Sequence, residues 1–343
     1  MRKNEGMSSP VVVMAVHESL RESFFGRELE RLRAVADVRF ADDPAALRPE
    51  DVAGASLLIS GWGTDRLTPD LLAAAPRLTT LVHSAGTLRP VLDPACYERP
   101  GFRASCQADT NALPVVDFTL AMVILSLKNA FVLRERFRTE RGSTEDARAG
   151  RGSVGGADGV PFRRVGIVGA SRIGRGVIAK LRGLEVEIGL FDPFVSDEEA
   201  RSLGVRLFTD LVELAAWSEV FSVHAPWLPA TEGLISAEVL AALPDGSHLI
   251  NTSRGAIVDE TALIAELTTG RIDAVLDVTW PEPPAPDSPL WELPNVFLTP
   301  HIAGSQGTEF GLLGRGAIDE AIRALTGAPL EHEVTAEGYE RQA

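Results

Sequence analysis

Short runs of aliphatic and β-branched residues alternate along almost the whole chain with segments whose apolar positions recur every three or four residues. That alternation predicts parallel sheets covered by helices, an α/β fold. In the first part it predicts strands at Val11–Val16, Val35–Phe40, Leu57–Ser60 and Leu78–His83, with helices at Phe24–Arg33 and Pro69–Ala74. From Asn111 to Phe137 the residues Val115, Val116, Leu120, Val123, Ile124 and Leu127 follow one another at spacings of one, three and four, predicting one long helix with a broad apolar face. Residues 138–160 break the pattern. They are glycine-rich and charged, with little apolar periodicity, and read as a linker. A second α/β run begins at Arg164, with strands predicted at Val165–Val168, Val186–Phe191, Val220–Val223, His248–Asn251, Ala274–Val278 and Val296–Leu298. Ser236 and Asp259 are N-cap candidates for two of its helices, and a last helix is predicted over Gly311–Leu325.

Composition narrows the function classes. The 343 residues suit two domains, and a formal net charge of −15 argues against nucleic acid and against an anionic membrane surface as partners. The apolar runs Val11–Val16 and Phe118–Leu127 are too short for a signal-peptide core and a membrane span respectively, so a soluble cytoplasmic protein is expected. Cys96 and Cys106 have no metal-type spacing, and no metal site is expected.

Candidate chemistry begins at Val165-Gly166-Ile167-Val168-Gly169-Ala170-Ser171-Arg172-Ile173-Gly174. A strand enters a glycine turn and then a helix, a dinucleotide fingerprint whose middle glycine is replaced by Ser171. Gly169 permits the tight turn, Gly174 lets the helix approach the strand, and the helix N-terminus offers amides to a pyrophosphate. Asp192 ends the next predicted strand, 23 residues after Gly169, close to the usual spacing for an acid that meets the ribose hydroxyls. A carboxylate there repels a 2′-phosphate and favours NAD over NADP.

Downstream, charged residues sit at or just past three further strand ends: Arg254 after His248–Asn251, Glu282 after Ala274–Val278, and His301 after Val296–Leu298. Open parallel sheets bind ligands at that edge. An arginine can clamp a carboxylate in bidentate fashion, a histidine can pass a proton to a substrate oxygen, and a glutamate can fix the imidazole tautomer.

With Gly169–Gly174, Asp192, Val223-His224-Ala225-Pro226, Asn251–Gly255, Asp277–Pro283 and Thr299–Gly304 in this order, the stretch from about Asn111 to Gly304 resembles the D-isomer-specific 2-hydroxyacid dehydrogenase family. The resemblance implies two Rossmann-like or flavodoxin-like doubly wound domains. Residues 1–110 and 305–343 would form a discontinuous substrate domain, with a nucleotide domain, 111–304, inserted between them. It implies Arg254, Glu282 and His301 as the catalytic trio. It implies NAD contacts from Gly169, Ser171, Arg172, Ile173, Gly174, Asp192, His224, Ala225, Pro226, Thr231, Thr252, Ser253, Arg254, Asp277, His301 and Gly304, with Asp277 meeting the nicotinamide amide. Ser84, Ala85, Gly86 and Thr87 would receive the substrate carboxylate together with Arg254, and Trp62 would shape the substrate pocket. A homodimer is also implied.

The chain departs from the family pattern in several places. Leu228 stands where the family has Thr, the run after Gly86 is unusual, and the linker lacks a tryptophan. The loop Ser60-Gly61-Trp62-Gly63-Thr64 carries an aromatic and no Arg or Lys before Arg66, which leans away from a phosphorylated substrate and towards an apolar or aromatic 2-oxo acid. His17 and His83 end predicted strands and could line the substrate cleft, though His17, with no carboxylate paired to it in sequence, reads better as a cap or surface residue. The expected activity is interconversion of a 2-oxo acid and a 2-hydroxy acid by hydride transfer with NADH. The alternatives are a relative acting on another small anion such as formate or phosphite, and a non-catalytic NAD-sensing protein of co-repressor type.

Overall fold

The computed structural model describes residues 9–141 and 159–340. It separates into two compact units, one comprising the chain up to Asn111 and from Ser305 onward, the other running from Ala112 to Gly304. The greater part of the predicted linker, residues 142–158, lies outside the described residues.

The first unit is built on a five-stranded parallel sheet of β1 (Val11–Ala15), β2 (Asp37–Phe40), β3 (Leu57–Ser60), β4 (Thr80–His83) and β5 (Arg103–Cys106) in the order β2-β1-β3-β4-β5. Strands β1, β3 and β4 read as continuous apolar runs because helices cover both faces. One face packs on Leu58, Leu71, Leu81 and Val91, the other on Phe24, Phe25, Leu313 and Ile318. The order reverses between β1 and β3, so the C-terminal ends of those strands flank the crevice where such sheets hold ligands. The segment at Glu333–Val334 lies along β5, whose outer edge is thereby covered, and the Arg103–Glu333 ion pair of 2.8 Å fastens it there.

The second unit holds a seven-stranded parallel sheet of β6 (Arg164–Val168), β7 (Glu187–Phe191), β8 (Arg206–Phe208), β9 (Val220–Val223), β10 (His248–Asn251), β11 (Asp273–Leu276) and β12 (Val296–Leu298). Its order is β12-β11-β10-β9-β6-β7-β8, the doubly wound arrangement, and here the switch falls between β6 and β9. All the pairings are parallel and in register, for example Val168 with both Phe191 and Val223.

Two predicted helices are each a pair. Phe24–Arg33 is replaced by Glu18–Phe25 and Glu28–Arg33, because Gly26 at φ 29° turns the chain between them. Asn111–Phe137 is replaced by Ala108–Leu127 and Ala130–Glu140, broken at Asn129, which sits in the left-handed region at φ 51°. The second of these carries helix into the predicted linker as far as Glu140. The helix Ala108–Leu127 is longer than its uncharged run suggested, and one 18-residue window has a mean hydropathy of 1.7, enough by composition to cross a membrane. Within the second unit, however, its Val116, Met122, Val123 and Leu127 are buried in the core.

Candidate active site

At the switch point of the second unit, β6 ends in the glycine turn. Gly169 is in the left-handed region at φ 96°, and a Cβ on it would lie 2.8 Å from the Ala225 amide nitrogen; a Cβ on Gly174 would lie 2.1 Å from the Gly169 carbonyl. The turn therefore packs directly on the His224–Ala225 backbone at the end of β9. Ser171 caps the helix Arg172–Leu181, its hydroxyl accepting from the Gly174 amide at 3.3 Å. The replacement of a glycine by serine thus serves the helix start. The Ser171 and Ile173 amides meet no acceptor among the described residues, which leaves donors at a helix N-terminus for an anion. The Asp192 carboxylate accepts from the amides of Ala170 (2.7 Å) and Phe194 (2.8 Å), which holds it beside the turn. A tight turn without Cβ atoms, free amides and a fixed acid fit a dinucleotide.

His224 is buried, its Nε2 2.9 Å from the Ser222 hydroxyl, while Nδ1 has no partner among the described residues. Burial pushes its pKa down to about 3, so the ring is neutral. Thr231 closes the loop after Pro226, its hydroxyl donating to the Pro226 carbonyl and accepting from the Leu228 amide at 2.9 Å.

After β10, Asn251 organises the next loop. Its side chain accepts from the Ser253 amide (3.0 Å) and hydroxyl (2.9 Å) and donates to the Arg254 carbonyl at 3.0 Å. Thr252 bonds to Thr119 of the Ala108–Leu127 helix at 2.8 Å. Gly255 is required because a Cβ there would lie 2.0 Å from the Thr279 carbonyl. The Arg254 guanidinium bonds to the Ser253 carbonyl at 2.7 Å while the residue stays solvent-exposed; partial desolvation lowers its pKa, and the charge of Glu282 opposes that shift. A guanidinium keeps its charge at any ordinary pH and presents a planar fork of donors to an anion.

The end of β12 is the most constrained part. His301 occupies the left-handed region at φ 54°, unusual for a residue with a side chain. Asp277, buried after β11, holds it there: its carboxylate accepts from the Thr299 hydroxyl (2.6 Å) and from the amides of Ile302 (2.8 Å) and Ala303 (2.8 Å), while the Asp277 carbonyl accepts from the His301 amide at 3.0 Å. This conformation aims Nδ1 of His301 at Oε1 of Glu282, 2.7 Å away. The pair borders a cavity of about 710 Å³, also lined by Asp277, Thr279, Leu290 and Trp291.

In the first unit, the Ser84–Thr87 loop leaves β4. The Ser84 amide and hydroxyl both donate to the Ser60 carbonyl, at 2.8 and 2.9 Å, so of the expected carboxylate-binding amides that one is already committed. The amides of Ala85 and Gly86 meet no acceptor among the described residues. Gly86 sits against Asn111, whose amide nitrogen would be 2.9 Å from a Cβ there, and Asn111 in turn accepts from Ser305 at 3.0 Å. Trp62 is 39% exposed just past β3. His83 does not line a cleft: it is 1% exposed, 2.9 Å from the Ser60 hydroxyl, and burial pushes its pKa down to about 4. His17 caps the helix Glu18–Phe25 through the Ser19 amide.

Arg254, Glu282, His301, Asp277 and the glycine turn all lie at the C-terminal edge of the second unit's sheet, while Trp62 and Ser84–Thr87 lie at that edge of the first. Sequence reasoning missed the organising roles of Asn251 and Thr299. A polar residue ending a buried strand, as Asn251 does, is the signal that could have found the first.

The model of the D-isomer specific 2-hydroxyacid dehydrogenase NAD binding domain matches residues 120–303, more than half of the chain. The chain is 31% identical over 327 residues to a D-3-phosphoglycerate dehydrogenase of Mycobacterium bovis, covering 94% of this chain and 58% of that protein. It is 38% identical over 173 residues to a D-3-phosphoglycerate dehydrogenase of Archaeoglobus fulgidus, 50% of this chain and 33% of that one. It therefore spans between 33% and 58% of the length of these two curated relatives. Among solved structures, a 2-hydroxyacid dehydrogenase of Ketogulonicigenium vulgare Y25 superposes with a TM-score of 0.74 at 26% identity, covering 96% of this chain and 99% of that one.

Proposed function

The chain belongs to the D-isomer specific 2-hydroxyacid dehydrogenase family, and on that premise we propose that it is an NAD-dependent oxidoreductase interconverting a 2-oxo acid and a D-2-hydroxy acid. The observation that carries this reading is the Glu282–His301 pair, 2.7 Å apart at a strand end whose backbone is held in an unusual conformation. Strain maintained by a buried carboxylate belongs to a site whose geometry matters.

The residues that would hold NAD are Gly169, Ser171, Arg172, Ile173 and Gly174 at the pyrophosphate, Asp192 at the ribose, and His224, Ala225, Pro226, Thr231, Thr252, Ser253, Asp277 and Gly304 around the rest. When bound, NADH supplies the hydride that adds to C2 of the oxo acid. The chain's own residues supply the remainder. Arg254 binds the substrate carboxylate and polarises the carbonyl, where its charge grows more favourable as the oxygen becomes negative. Glu282 keeps Nδ1 of His301 protonated and presents Nε2, which gives its proton to the substrate oxygen. In the reverse direction His301 takes that proton back. The free amides of Ala85 and Gly86 are suited to a carboxylate, and we assign the first unit the substrate-binding role and the second the nucleotide-binding role.

A cytoplasmic homodimer is the state we assign to it. The acidic balance suits a soluble protein, and the helix Ala108–Leu127 leaves Leu113 and Leu125 exposed for a second copy.

The test is oxidation of NADH and NADPH, followed spectrophotometrically, against a panel of 2-oxo acids. Turnover with NADH preferred is expected. Tight NADH binding without turnover on any of them would favour the non-catalytic sensing role instead.

A further inference from the structure

The first unit's sheet has its switch point between β1 and β3, and what stands there is aromatic. Gly61 follows β3 and packs between Val16, at the end of β1, and Ser84, at the end of β4: a Cβ on it would lie 3.3 Å from the Val16 side chain and 3.5 Å from the Ser84 hydroxyl. The next residue is Trp62. Its ring meets Phe24 edge-on at 5.2 Å and Phe310 edge-on at 5.5 Å, while Phe24 and Phe310 stack on each other at 5.1 Å. The two phenylalanines come from helices that touch backbone to backbone, since a Cβ on Gly314 would lie 1.7 Å from the Phe24 carbonyl. Trp62 is therefore held by a fixed aromatic base and still presents 39% of its surface.

The strand-end residues beside it carry no charge of their own. Val16 and Gly61 are apolar, Ser84 bonds back to Ser60, and buried His83 is uncharged at neutral pH. The arginines nearest in sequence are engaged with backbone carbonyls: Arg21 with Val16 at 3.0 Å, Arg66 with Arg89 at 2.7 Å, and Arg89 with Glu340 at 2.9 Å. A phosphate laid against the aromatic faces of Trp62, Phe24 and Phe310 would lose water without gaining donors from them. An apolar group would bury its own surface and that of Trp62.

We propose that Trp62, backed by Phe24 and Phe310, is the specificity-determining wall for the substrate side chain and selects a 2-oxo acid with an apolar group of aromatic size over a phosphorylated one. This rests on the oxidoreductase reading above. The carboxylate end of the substrate belongs to the Ala85 and Gly86 amides one strand away, and the side chain lies against the indole.

The experiment compares kcat/KM with NADH for phenylpyruvate, glyoxylate and phosphohydroxypyruvate, in the natural protein and in Trp62→Ala and Trp62→Phe. Phenylpyruvate is expected to exceed each of the others at least tenfold. In Trp62→Ala the ratio of phenylpyruvate to glyoxylate falls at least tenfold, mainly through KM, the scale set by one apolar contact. Trp62→Phe recovers a large part of that ratio. Measurable glyoxylate turnover in both variants establishes that they fold. A preference for phosphohydroxypyruvate, or an unchanged ratio in Trp62→Ala, would overturn the inference while leaving the dehydrogenase reading intact. Loss of turnover with all three substrates in the natural protein would overturn both.

Discussion

Oε1 of Glu282 stands 2.7 Å from Nδ1 of His301, and the two reach each other because Asp277 holds the His301 backbone at φ 54°. A carboxylate on Nδ1 decides which ring nitrogen faces the substrate. Ring orientation, and with it proton donation, therefore depends on one contact.

Replacing Glu282 by Gln preserves the shape and the ability to accept from Nδ1 but removes the charge. We expect kcat for reduction to fall roughly 10–100-fold, within the range of a general-acid contribution. The NADH dissociation constant should stay within about twofold, and a kcat at the natural value would show that Glu282 acts on something other than the ring.

Asp277→Ala strips the acceptor from the Thr299 hydroxyl and from the amides of Ile302 and Ala303. Leaving buried donors unpaired should destabilise the protein by roughly 2–4 kcal/mol. His301 would then relax out of the left-handed region, and activity should fall further than in Glu282→Gln. Thermal unfolding and initial rates on the same samples check both effects, and a variant with lowered Tm but full activity would show that the His301 conformation is incidental.

Gly169→Ala and Gly63→Ala make a matched pair. Both glycines have positive φ, 96° and 73°, but only at Gly169 does a Cβ meet backbone, 2.8 Å from the Ala225 amide nitrogen; Gly63 has open space. Gly63→Ala should cost about 1 kcal/mol of backbone strain and leave the NADH dissociation constant alone. Gly169→Ala should raise that constant at least tenfold, measured by fluorescence titration, because the turn must move off the end of β9.

Two of the buried histidines, His83 and His224, shape the response to acid. His83 and His224 have pKa values pushed by burial to about 4 and about 3, below the ordinary 6.5. Between those values and 6.5 the unfolded chain binds protons that the native protein refuses. Stability is therefore full above pH 6.5 and falls as the pH drops towards 4, by about 3 kcal/mol for His83 alone. Denaturant unfolding at pH 7, 5.5 and 4.5 should show this decline, and His83→Asn should flatten it. An equal slope in the variant would mean that His83 is protonated in the native state.

The strands were legible because they are buried on both faces and read as unbroken apolar runs, as in β3, β4 and β9. The chemistry at their ends was legible for the same reason, since Arg254 and His301 stand out only against a known strand end. β8 was missed because three residues with exposed Arg206 carry no run, and β5 because Arg103 and Ser105 interrupt it. The helix breaks at Gly26 and Asn129 needed backbone dihedrals that an apolar period does not encode. Long-range pairings were equally invisible: Phe24 finds Phe310 almost at the other end of the chain, and Ser84 gives its amide to Ser60. The resemblance implied an NAD contact for Asp277 but not the three hydrogen bonds by which its carboxylate also holds the His301 turn.

His301→Asn separates proton donation, which rests on His301, from NAD binding, which rests on other residues. Asparagine tolerates the left-handed region better than other residues with side chains, so the backbone is kept and the ring is lost. In single-substrate steady-state assays alongside NADH titration, kcat should fall by a factor of roughly 10²–10⁴ while the NADH dissociation constant stays within about twofold. Turnover at the natural rate in that variant would contradict it.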